Sequence, residues 1–139
     1  MVLPTNVKLL VDDALSQQGV IPRDWVHAFE WLRVNTDQGT RVMTSVRVGS
    51  FTGRYAERRV YVGHAQQTLD YQRKRQMAGH FFDPRTPEPR WRTILMLSRC
   101  QYVAADADQS ALLRDRPGLQ PVFSSPQMTI YRVSTPGGS

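Results

Sequence analysis

"CQYVAADADQSALLRDRPGLQPVFSSPQMTIYRV", residues 100–133, decides the fold class. Its opening residues, 100–106, read as a strand with Tyr102 and Val103 at the centre. A short helix is expected near 108–114. Two β segments follow, 119–124 and 127–133, on either side of Ser124-Ser125-Pro126, a spacing that suits a hairpin. A strand leading into a helix belongs to an α/β layer, and a hairpin adds antiparallel strands, so the sheet is predicted to be mixed.

Working outward, "RRVYVG" (58–63) and "RVMTSV" (41–46) read as two further strands. The stretch between them, "GSFTGRYAE" (49–57), holds Gly49 and Gly53 with Phe51 and Tyr55 interleaved, and is expected to be an exposed loop. A helix is predicted over 67–82, closing at "DPRTPEP". Another over 88–98 places Trp91, Ile94, Leu95 and Ser98 on one face. Pro22 is expected at the first position of an earlier helix, whose apolar face is Trp25, Ala28, Phe29 and Leu32; Asn35 to Gly39 stops it. Residues 5–17 carry Val7, Leu10, Val11 and Ala14 at helical spacing, with Thr5 or Asn6 to cap and Gly19 to end.

The expected fold is therefore α/β: a mixed, mainly parallel five-stranded sheet with helices on both faces and a C-terminal antiparallel hairpin. The division is 1–19, a lead-in helix packing loosely or not at all on the rest; 20–134, a single α/β domain; and 135–139, a flexible tail. At 139 residues one domain is the natural reading, and the chain is long enough to bury a core without staples.

The formal charge is +6 and the pI about 10.1. All 18 basic residues except Lys8 and Lys74 are arginine. Arginine suits bidentate contacts with carboxylate or phosphate, although a GC-rich genome produces the same bias. A basic surface also suits anionic lipid or nucleic acid. Cys100 is the single cysteine, so neither an intramolecular disulfide nor a cysteine-based zinc site is expected. His27, His64 and His80 are scattered, and no metal or other cofactor is implied. No run approaches the ~18 apolar residues of a membrane span, and no signal peptide is read at the start. A role at a membrane would make this chain part of something longer.

The stretch "VYVGHAQQTLDYQRKR" (60–75) is the best place for a ligand. Open α/β sheets bind beyond the carboxyl ends of their strands. Those ends are expected at Val46–Gly53, Gly63–Thr68 and Ala105–Gln109. Thr68 can cap the following helix, with Asp70 in its first turn. Two readings of Gly63-His64 stand: an anion or hydroxyl site at a helix start, or a tight turn with a histidine in it. Lys74 falls with Tyr71, Ala78 and Phe81 in the apolar sector of the helix, opposite Gln72, Arg73, Gln76 and His80. Its ammonium either snorkels to water or meets a carboxylate, carbonyl or ligand anion. No catalytic set is visible: no nucleophile elbow surrounds a serine, and "GSFTG" lacks the pattern of a phosphate loop. Asp106 and Asp108 read as helix caps before they read as a carboxylate pair.

Four segments, "IPRDWVHAFEWLRVNT", "RVMTSVRVGSFTGRYAERRVYVGHAQQTLDYQRKRQMAGHFFDP", "LSRCQYVAAD" and "LQPVFSSPQMTIYRV", occur in an order that resembles the C-terminal soluble domain of polytopic GT-C glycosyltransferases. These are relatives of dolichyl-phosphate-mannose mannosyltransferases in bacteria such as the Chloroflexi. The resemblance covers roughly 20–133. Its most specific pieces are Trp31-Leu32-Arg33-x-Asn35-Thr36, Gly63-His64, Thr68-x-Asp70-Tyr71-x-x-Lys74 and Phe81-Phe82. It departs from the family at Ala65 and Gln67, where an aromatic and an acid are usual, and at Ala104 to Asp108, where a glycine-rich turn with an acid-arginine pair is usual.

What the resemblance implies is a non-catalytic accessory domain on the outer side of the cytoplasmic membrane. Its partners would be the transmembrane portion of its parent, the membrane surface and a lipid-linked sugar, with Gly63, His64, Thr68, Tyr71 and Lys74 as candidate contacts. No catalytic residue carries over, because the family's catalytic acid lies in the membrane part. The alternative is a self-standing α/β protein whose arginines bind a polyanion such as nucleic acid. Against it, basic residues are spread from Arg23 to Arg132 and no recognition-helix motif is present.

Overall fold

The computed structural model describes residues 22–56, 58–62 and 70–134. Within them the chain runs α1 (Arg23–Asn35), β1 (Arg41–Met43), α2 (Val46–Tyr55), β2 (Arg59–Val60), α3 (Tyr71–Phe81), α4 (Glu88–Ser98), β3 (Tyr102–Asp106), α5 (Ala107–Leu113), β4 (Leu119–Ser124) and β5 (Met128–Val133). The five strands form one sheet in the order β2-β1-β3-β5-β4. β1 pairs parallel with β2 and β3, and β3–β5 and β5–β4 are antiparallel. The expected mixed sheet with its C-terminal hairpin is the observed one. The predicted lead-in helix and tail lie outside the described residues.

Side chains alternate across the sheet, so consecutive strand residues serve different cores. Met43, Val103 and Tyr131 face Ala78 and Phe81 of α3 and Trp91 and Leu95 of α4. Val42, Ala104 and Ile130 face Trp25, Phe29 and Leu32 of α1 and Val48 of α2. The predicted apolar faces of α1 and α4 are the buried ones. α1 is also tied to the hairpin: Trp25 Nε1 donates to the Gln127 carbonyl at 3.0 Å, and Asp24 accepts from the Gln127 amide at 3.1 Å. The hairpin's outer strand carries Pro121 and an irregular register between Pro121 and Phe123. Both features discourage further strands from adding at that edge.

Three arginines complete the helix ends. Arg58, 8% exposed, donates from Nη2 to the carbonyls of Arg33 and Thr36, each at 2.7 Å, and from Nε to Thr36 Oγ1 at 2.8 Å, closing the end of α1. Arg41 Nη1 donates to the Ser98 carbonyl at the end of α4 at 3.0 Å. Arg116, also 8% exposed, donates to the carbonyls of Phe81 and Asp83 after α3, with its guanidinium 5.2 Å from the Phe81 ring and 5.0 Å from the Trp91 ring.

Three expectations are corrected. Residues 46–55, read as the end of a strand and an exposed loop, form helix α2. Ser45 caps it by accepting from the Val48 amide at 3.3 Å, and Gly49 lets it lie against the Val62 carbonyl. The glycines that argued against a helix are in part there for close approach. Pro22 precedes α1 rather than opening it. The N-cap of α3 is Asp70, in the left-handed region at φ 55°, and not Thr68, which lies outside the described residues.

Two helical glycines should respond in opposite directions to alanine. A Cβ on Gly49 would collide with the Val62 carbonyl oxygen and lie 2.5 Å from Thr44 Oγ1. Gly49→Ala is expected to destabilise the fold by about 1–3 kcal/mol despite alanine's helix preference. Gly79 has open space at that position, so Gly79→Ala is expected to stabilise by up to ~1 kcal/mol. Chemical denaturation of the two variants measures both signs.

Candidate functional site at the carboxyl ends of the strands

The chain leaves β1 towards β2 on one side and later enters β3 on the other. The helices of these crossovers lie on opposite faces, so strand order reverses between β1 and β3. A crevice is expected beyond the carboxyl ends of the strands at such a point. A cleft of about 220 Å³ lies there, lined by Ser45 after β1, Gln109 after β3, and Arg75, Ala78, Gly79 and Phe82 from the α3 side. α2 begins at this cleft, and first-turn amides of a helix have no carbonyl partner within it.

The polar groups differ in freedom. Asp106 and Gln109 form a reciprocal cap of α5: Asp106 Oδ1 accepts from the Gln109 amide at 3.0 Å, and Gln109 Oε1 accepts from the Asp106 amide at 3.2 Å. Asp106 is thus a cap, as expected. Arg75 is exposed and has no carboxylate partner among the described residues. One cation beside one hydroxyl offers charge and hydrogen bonding. Among the described residues, no histidine lines the cleft to activate Ser45 and no group of metal-ligating side chains occurs.

Of the sequence-predicted contacts, Gly63, His64 and Thr68 lie outside the described residues. Tyr71 and Lys74 are half-buried on the core-facing side of α3, with Gln72, Arg73, Gln76 and His80 exposed opposite, as the helical wheel requires. The expected carboxylate or carbonyl around Lys74 is not found among the described residues. Its Nζ instead lies 5.7 Å from the centre of the Tyr61 ring. Burial raises the Tyr61 phenol above its ordinary pKa, so the ring is neutral and the contact is cation–π. A half-exposed ammonium keeps part of its water and does not need an anion. Sequence reading missed Ser45 and Arg75, and reached Gln109 only as the end of the expected strand edge Ala105–Gln109. The spacing of Arg75, Gly79 and Phe82 at i, i+4 and i+7 marks one helical stripe and could have pointed to the cleft.

Cys100 offers no neutral-pH nucleophile. Burial pushes its thiol up to about 12, opposed by a hydrogen bond with the Ser98 side chain and by the fields of Arg41 and Lys74.

No family model matches the chain, and no curated protein matches its sequence. Among solved structures, the fold matches the C-terminal globular domain of the oligosaccharyltransferase from Archaeoglobus fulgidus, with a TM-score of 0.63 and 12% sequence identity. The match covers 82% of this chain and 99% of that one. The chain thus has the α/β fold of that globular domain.

Two outcomes are expected. A double-mutant cycle of Lys74→Met and Tyr61→Leu, followed by urea denaturation, should give a coupling of about 0.5–1 kcal/mol; zero coupling would mean that the lysine only snorkels. Stability should also fall as pH rises from the unfolded thiol's range near 9.0 towards about 12. The folded pKa is the higher one, so the contribution of the buried thiol is complete below the unfolded pKa and is lost above it. Cys100→Ala should flatten that alkaline slope in pH-dependent melting.

Proposed function

We propose that this chain is a non-catalytic accessory domain of a GT-C-like membrane glycosyltransferase, held on the extracytoplasmic side. The observation that carries the reading is the fold match to almost the whole of an oligosaccharyltransferase's C-terminal globular domain. The ordered sequence segments independently resemble the soluble domain of GT-C transferases. The strand-end cleft supports a binding role: among the described residues it has a hydroxyl and a cation but no base beside the hydroxyl. A sugar or lipid-phosphate substrate would be contacted at this edge of the sheet, which Gly63, His64 and Thr68 follow in sequence after β2. Tyr71 and Lys74 support that edge from α3. The transmembrane portion of the parent is the proposed permanent partner.

The polyanion alternative loses ground, because Arg41, Arg58 and Arg116 are spent on helix carbonyls.

An antibody against this chain, used on fractionated native cells, tests the proposal. The antigen should remain with membranes after alkaline carbonate washing and be cut by protease added outside the cytoplasmic membrane. It should migrate well above 15.9 kDa. A species of that mass in the membrane-free fraction would overturn the reading.

A further inference from the structure

We propose that the edge of the sheet opposite the cleft, where β1, β2 and β3 begin, is a docking surface for an anionic lipid bilayer. α1 and α4 both end at this edge, held there by Arg58 and Arg41. Each leaves aliphatic side chains in water: Val34 is 70% exposed, Met96 65% and Leu97 73%. These are the large exposed hydrophobics among the described residues. They lie at the last turns of two helices on opposite faces of the sheet, so they border one end of the molecule.

The same edge is basic and grooved. Two clefts, about 350 and 300 Å³, share Gln101 and Val133 and therefore adjoin. Their linings include Arg92, Arg99 and Arg132, with Asp37 as the one acid among the described residues. Arg92 is paired with Glu88 at 2.8 Å, whereas Arg99 and Arg132 are exposed without an ion-pair partner among the described residues. Arg33 is exposed beside Val34.

Aliphatic tips interleaved with guanidinium groups match the headgroup region of a bilayer, where side chains enter the acyl boundary and arginines meet phosphate. Nucleic acid offers the arginines phosphate but gives Met96 and Leu97 no apolar medium. The surface is small, so the interaction is weak and reversible. That is sufficient for a domain already tethered beside a membrane, because tethering makes the contact intramolecular. The proposed function supplies only the nearby membrane; the charge and exposure pattern stands on its own.

The test is co-sedimentation of the 139-residue chain with vesicles of phosphatidylcholine mixed with phosphatidylglycerol, against vesicles of phosphatidylcholine alone. Binding is expected to the mixed vesicles only and to weaken with added salt. Arg99→Gln and Arg132→Gln should each weaken it about fivefold. Met96→Ser with Leu97→Ser should also weaken it while leaving the melting temperature unchanged, since both side chains are exposed. No vesicle binding, or equal binding to both compositions, overturns the proposal. So does binding indifferent to the Met96/Leu97 pair, or tighter binding to duplex DNA that only the arginine variants reduce. Failure here alongside membrane fractionation of the native protein removes the docking edge and leaves the proposed function standing. Vesicle binding by a chain that fractionates without membranes does the reverse.

Discussion

Buried guanidinium groups bonded to helix carbonyls hold this fold in register. The last carbonyls of a helix have no partner within it, and burying them unsatisfied costs about 1–3 kcal/mol each. Arg58 reaches from the start of β2 to the end of α1 and satisfies the Arg33 carbonyl there, together with that of the cap residue Thr36. Arg116 satisfies the Phe81 carbonyl at the end of α3 and the Asp83 carbonyl just beyond it while lying against Phe81 and Trp91. Each side chain therefore does two things: it completes a helix and fixes where that helix sits on the sheet. A lysine has the charge but not the fork, and could not span two carbonyls from one planar group. Among the described residues, the short strands β1 and β2 rely on this bracing, because three and two residues make few ladder bonds.

That bracing changes what the arginine-rich composition means. Read as composition, the bias points outward, to phosphates or to a base-composition effect. In the structure, Arg41, Arg58 and Arg116 point inward and meet neutral carbonyls. Of the outward-facing remainder, Arg33, Arg99 and Arg132 lie around the beginning of the parallel strands. A chain rich in arginine thus has fewer free charges than the total suggests.

The helices with strong apolar stripes were legible. Trp25, Ala28, Phe29 and Leu32 make a face at 3.6-residue spacing, and so do Trp91, Ile94, Leu95 and Ser98; both faces are buried. The hairpin was legible because Ser124-Ser125-Pro126 separates two apolar runs. Helix α2 was not. Its glycines lower helix propensity, and one is needed for contact with the Val62 carbonyl thirteen residues away, which local pattern cannot reveal. For Lys74 the wheel found the right sector but not the partner, since an aromatic ring across the core leaves no mark in local spacing. The cleft was half legible. The rule of strand carboxyl ends located it, but Ser45 was hidden inside an overlong strand, and Arg75 among the exposed residues of a basic run.

The two ends of the sheet constrain each other. A five-residue strand such as β3 spans about 17 Å at ~3.3 Å per residue. With the basic, aliphatic edge on the bilayer, the Ser45–Arg75–Gln109 cleft would lie at least that far from the headgroups, facing water. It would then meet the sugar or acceptor portion of a lipid-linked substrate, not a phosphate at headgroup level. A phosphate-level contact at the cleft would require the opposite orientation, leaving Met96, Leu97 and Val34 pointing away from the membrane with their apolar surface in water. The exposed side chains favour the first arrangement: lipid at one end of the strands, and a water-facing cleft at the other.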